Sequence, residues 1–116
     1  MTLTQFLDQL QRTPNTISFD DSMAIISQYY DFTPTRFNNG DLINEADSNN
    51  GSCKLFAFAQ LQSLTEQQTL HCFGDYYRLD VLQHPANEDH QNIRQFIKTG
   101  FSGLHYDGPA LTQQTV

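Results

Sequence analysis

With 116 residues the chain has material for one hydrophobic core and not for two, so a single domain is expected. Six Lys and Arg stand against thirteen Asp and Glu, a net charge of −7. The six bases are scattered, which argues against nucleic acid and against anionic membrane surfaces as partners.

About a quarter of the residues are Leu, Ile, Val or Phe, above the roughly 20% below which chains stay disordered. Nine Phe and five Tyr predict an aromatic-rich core. No run nears the ~18 apolar residues of a membrane-spanning helix, and the N-terminus shows no secretory signal pattern. A soluble protein is expected. Two cysteines, Cys53 and Cys72, are too few for a disulfide framework, and reduced thiols are expected, with a single bridge between them left open.

In chain order, Thr2 and Gln5 form a capping box, and Leu3, Phe6, Leu7 and Leu10 follow at helical spacing up to Pro14. Ser18 with Asp21 opens a second helix that carries Phe19, Met23, Ile26 and Tyr30 on one face and stops at Thr33-Pro34. Residues 34–52 turn to Asn, Asp, Gly and Ser and read as a long polar loop with Phe37 and Leu42 or Ile43 pinning it. From Cys53 to Leu64 the chain is strongly apolar and fits a buried third helix, favoured over a strand in which Phe56, Ala57 and Phe58 would alternate.

Thr65 with Gln68 caps a fourth helix expected to run through Gly74 to Leu82. Asp89 is expected to cap a fifth, with Ile93, Phe96 and Ile97 inward and Gly100 at its C-terminal end. Two valines and few alternating runs leave little for a sheet. The expected fold is all-α, a single-domain bundle of about five helices over residues 1–108, with 109–116 as a frayed tail and an α+β fold as the alternative.

The acidic loop offers many oxygens from Asp41 to Asn50, but no EF-hand register fits, and the histidines and cysteines lack zinc-site spacing, so no metal ligand is assigned. Nothing calls for a cofactor. Cys53 follows Gly51-Ser52 at an expected helix N-terminus, where free amides and the helix dipole stabilise a thiolate. With His90 as base beside Asp89, it forms a candidate nucleophile pair, should the fold bring them together. The Tyr pairs 29–30 and 76–77 each put one ring inward and one toward the flank.

Taken together, the strings Phe37-Asn38-Asn39-Gly40, Asn50-Gly51-Ser52-Cys53-Lys54-Leu55-Phe56-Ala57, Phe73-Gly74-Asp75-Tyr76-Tyr77-Arg78 and Asp89-His90-Gln91-Asn92-Ile93-Arg94 resemble the HopJ type III effector family over nearly the whole chain. The resemblance implies a small bacterial protein, and the family name implies type III secretion, with the bacterial cytoplasm as the default location. It carries no catalytic residues across.

The leading functional expectation is a non-catalytic interaction domain. It would engage an unidentified protein partner through Phe37, Asn38, Asn39, Gly40, Asn49, Asn50, Gly51 and Ser52. The alternative is a cysteine-dependent hydrolase or transferase built on Cys53, His90 and Asp89. The sequence does not fix the oligomeric state.

Overall fold

Local capping signals start the first, second and fourth helices. Thr2 Oγ1 accepts the Gln5 N–H at 3.1 Å while Gln5 Oε1 accepts the Thr2 N–H at 2.8 Å, opening α1 (Leu3–Arg12). Ser18 and Asp21 make the same reciprocal pair ahead of α2 (Phe19–Tyr29), and Thr65 and Gln68 ahead of α4 (Glu66–His71). The structure, a computed structural model, describes residues 1–114.

Helix α3 (Asn50–Leu61) is the axis of the molecule. Cys53, Leu55, Phe56, Ala57, Phe58 and Ala59 are all buried, because the helix is apolar around most of its circumference and neighbours cover it on several sides. Phe56 meets the rings of Phe37, Phe73 and Phe96, and Phe58 meets those of Phe6 and Tyr30, giving the aromatic core that the composition predicted.

The all-α expectation is overturned: the fold is α+β. Among the described residues, five three-residue strands form two small antiparallel sheets. In one, β1 (Tyr30–Phe32) pairs with β5 (Leu111–Gln113), Phe32 opposite Leu111. In the other, β2 (Phe37–Asn39) lies between β3 (Leu42–Asn44) and β4 (Leu104–Tyr106). Three residues are too few to write an alternating pattern, so the strands left little trace in the periodicity.

Two corrections follow from these sheets. The polar loop of 34–52 holds a hairpin whose two-residue turn, Gly40-Asp41, has positive φ only at Gly40 (+56°), the type II′ pattern that suits strand twist. The tail expected to fray is instead anchored as far as Gln114, with Ala110 and Leu111 buried and the Gln114 side chain donating to the carbonyls of Ser27 and Tyr30. Residues 115–116 lie outside the described residues.

The fourth helix also departs from the expected 65–82 span. It ends at His71, and after a turn a π-helical segment runs from Tyr76 to Val81. Gly74 causes the break: its φ is +64°, and a Cβ there would stand 2.7 Å from the backbone nitrogen of Phe19. Close approach of the α2 entry thus decides where α4 stops. Helix α5 (Gln91–Thr99) follows, and Gly100 after it turns Phe101 back onto Phe96, ring centroids 5.2 Å apart.

Candidate functional site

A cleft of about 570 Å³ opens where β3, the first turn of α3, the π-helical segment and the start of α5 converge. Its floor is a buried amide network. Asn39, Asn44 and Asn92 are each less than a tenth exposed. Asn92 Oδ1 accepts from the Nδ2 groups of Asn39 and Asn44, at 3.1 Å each. Asn92 Nδ2 returns a bond to Asn44 Oδ1 at 2.9 Å, and Asn49 Nδ2 donates to that same oxygen at 2.6 Å.

A carboxamide both donates and accepts, so four of them can tie two strands, a turn and a helix start together without burying charge. The Oδ1 atoms of Asn38 and Asn39 are buried without a partner.

The α3 end of the cleft is rich in donors. Asn49 stands at the N-cap position but spends its side chain on Asn44, and the first turn carries no acidic residue. The first helical bond is from the Cys53 N–H to the Asn49 carbonyl at 2.9 Å. Among the described residues the N–H groups of Asn50, Gly51 and Ser52 donate to no protein acceptor. Gly51 lets the Phe19 ring lie against this turn, since a Cβ would come within 2.8 Å of the ring.

Aromatic rings form the opposite wall. Tyr76, 44% exposed, packs edge-on against Phe19 with centroids 5.3 Å apart and leans on the His90 ring at 5.0 Å. Phe19 stacks in turn on Phe73. Among the described residues no Lys, Arg, Asp or Glu lines the cleft.

His90 sits at the N-cap of α5 in a left-handed conformation, φ +50°, and makes no side-chain cap. Asp89, expected to cap that helix, therefore does not. Its carboxylate meets Arg94 at 2.6 Å, a hydrogen bond that, chiefly, holds its pKa below the usual carboxylate range. His90 Nε2 meets Asp80 Oδ2 at 2.9 Å and Asp89 Oδ2 at 3.9 Å. Donor atoms of Asp80, Asp89 and His90 lie within 4.8 Å of one another, a set that the sequence spacing did not reveal and that could hold a cation. The Arg94 guanidinium already occupies one of its carboxylates.

Cys53 faces away from all of this. It is 2% exposed, its thiol donates to the Thr35 carbonyl at 3.4 Å, and Tyr106 Oη donates to the Cys53 carbonyl at 2.7 Å. Burial pushes its pKa up, the reverse of an activated nucleophile. Cys72 is buried as well and pushed up to about 12 by burial, and both thiols are free. Among the described residues no hydrogen bond joins Cys53 to His90; the thiol bonds toward β2, while the imidazole bonds to Asp80 at the cleft.

Of the residues proposed from sequence, Asn49, Gly51, Ser52 and His90 line the cleft. Asn39 lies in its floor network, and Asn50 Nδ2 donates to Asp47 Oδ1 at 3.2 Å. Phe37 belongs to the core, stacked on Tyr106 with centroids 5.0 Å apart. Asn38 and Gly40 shape the hairpin. Sequence reasoning missed Asn44, Asp80 and the roles of Phe19 and Tyr76. Exposed Tyr76 beside buried Tyr77 was the one available signal.

The chain is similar to a protein whose solved crystal structure is described only as the unknown-function protein VPA0580. The two are 53% identical, over 98% of this chain and 95% of that one, with a TM-score of 0.97. No curated protein matches the chain. Among the described residues no helix is long and apolar enough to cross a membrane. The model of the HopJ type III effector proteins matches residues 3–111, nearly the whole length, and the chain belongs to that family.

Proposed function

We propose that the protein is a non-catalytic recognition domain, effector-like in the sense of its family's description, that holds part of a partner protein in the amide-lined cleft. The observation that carries this reading is convergence. Separate segments, at 42–44, 49–52, 73–76 and 90–93, present uncharged hydrogen-bonding groups and aromatic faces to one cavity. The buried asparagine network ties the segments at 42–44, 49–52 and 90–93 together before any partner arrives, which lowers the ordering cost of binding. His90, a non-glycine residue at positive φ, stands at the rim, where strained backbone tends to gather around function.

A cysteine-dependent reaction has less support, because the thiol is buried, bonded to a carbonyl and raised in pKa. The bacterial cytoplasm is the location proposed for the recognition event, with type III export suggested by the family description.

Quantitative capture of partners from a bacterial lysate tests the reading, with three forms of the intact protein compared. The Tyr76→Ala/Gln91→Ala double variant should lose the partners that the unmodified protein captures, and Cys53→Ser should keep them. Partners that persist on the double variant, or vanish from a normally folded Cys53→Ser, would overturn it.

A further inference from the structure

Strand β3 ends its sheet on the cleft side, with β2 as its only neighbour among the described residues. The register decides which of its backbone groups are spare. Asn39 lies opposite Leu42 across the two-residue turn, Asn38 opposite Ile43, and Phe37 opposite Asn44. On the other side of β2, Asn38 faces His105, and the Gly40 N–H donates to the Gly103 carbonyl at 2.9 Å. Backbone groups of an antiparallel strand alternate in direction, so residues 38 and 40 bond toward β4 while 37 and 39 bond toward β3.

Ile43, opposite Asn38, therefore turns its N–H and C=O away from β2. Among the described residues these groups have no partner beyond the strands. All three residues of β3 line the cleft, and Ile43 is 59% exposed. The cleft thus has a free sheet edge along one lip.

The charge around that lip selects an occupant. Asp41 and Glu45 flank the strand, Asp47 follows in the next turn, and Asp80 and Asp89 stand beside His90 across the cleft. Arg36, 3.2 Å from Glu45, and Arg94, on Asp89, offset two of these five carboxylates, which remain in excess. A second copy of this chain, at −7, would meet like charge, and acidic flanks on a short edge strand are a usual guard against self-pairing. A basic segment would be attracted and steered by the same field.

We propose that the cleft takes an extended, basic peptide segment, which adds a strand to the free edge of β3 through the backbone of Ile43 and places an uncharged side chain between Tyr76 and the asparagines. This rests on the reading of the cleft as the recognition site and adds the chemistry of its partner. Main-chain bonds would supply affinity and the alternating side chains selectivity.

A random peptide library displayed on phage, selected on the intact protein, supplies the probe. Enriched peptides should carry more Lys and Arg than the starting library, bind more weakly as salt rises, and shift the backbone amide resonances of Ile43 and Ser52. Ile43→Pro removes the edge N–H and should weaken them roughly tenfold, the value of one main-chain bond, whereas Ile43→Ala should not. Should Ile43→Pro fail to fold, N-methylation of alternate peptide amides replaces it, and undiminished binding by every methylated form would overturn the proposal.

Failure to enrich any peptide above bare resin, or enrichment of acidic ones, would overturn it too. Peptides that shift cleft residues yet ignore Ile43→Pro would remove strand addition and leave the cleft as the site. Peptides that bind away from the cleft would remove both.

Discussion

The first two turns of α3 point in two chemical directions. On one side Gly51 and Ser52 open onto the cleft with free amides, carboxamides beneath them and aromatic rings opposite. On the other, a single residue later, Cys53 enters the core against Thr35 and Tyr106. The helix rotates about 100° per residue, and that step separates a hydrogen-bonding surface from a buried thiol. Adjacency in sequence, which made Gly51-Ser52-Cys53 look like one reactive unit, is therefore misleading here. What the cleft can offer is recognition by uncharged donors and acceptors, while the cysteine's surroundings favour the neutral thiol.

Substitutions on the two sides sharpen this contrast. The largest effect belongs to the core: Phe56→Ala, at a fully buried ring, should cost about 3–5 kcal/mol in urea unfolding. Next comes the cleft floor. Asn92→Ala leaves the Asn44 amide without its acceptor, while the Asn39 amide keeps the Asn92 backbone carbonyl at 2.9 Å, and should cost about 1–3 kcal/mol, the range for one buried group left unsatisfied. A loss under about 1 kcal/mol would mean that the network does not hold the cleft in shape. Cys53→Ala should cost on the order of 1 kcal/mol and leave partner capture unchanged. In thiol titration of the unmodified protein, Cys53 should react slowly when folded and at an ordinary rate in urea.

The smallest effect is a pH dependence away from both faces. Burial, assisted by the Arg78 guanidinium 3.3 Å from Nδ1, lowers the pKa of His71 in the folded state. The unfolded chain then binds the extra proton first. Stability should be full above the unfolded value of about 6.5 and fall as pH drops through it, until the folded imidazole also protonates. His71→Gln should flatten that part of the stability profile. An unchanged slope would show that the imidazole titrates freely.

Much of the helical framework was legible because its signals are local. Three capping boxes lie within three residues of their partners, and the apolar residues at 55–59, all buried, form one unbroken run. What escaped depends on distant partners. The break at Gly74 is set by the backbone of Phe19, and the pairing of Leu111 with Phe32 brings back a tail that by itself looks polar. The site was half legible for the same reason. Asn49, Gly51, Ser52 and His90 stood out as turn or helix-start residues, but Asn39 and Asn44 meet Asn92 across about fifty positions of chain, with no local pattern to mark them.

A photoreactive benzoylphenylalanine placed at Ile43, on the cleft, and separately at Thr112, on the β1–β5 sheet, tests the recognition site most directly in living cells. The cleft reading predicts a discrete crosslinked partner from position 43 and none from position 112. Crosslinking from 112 alone, or the same adduct from both positions, would contradict it.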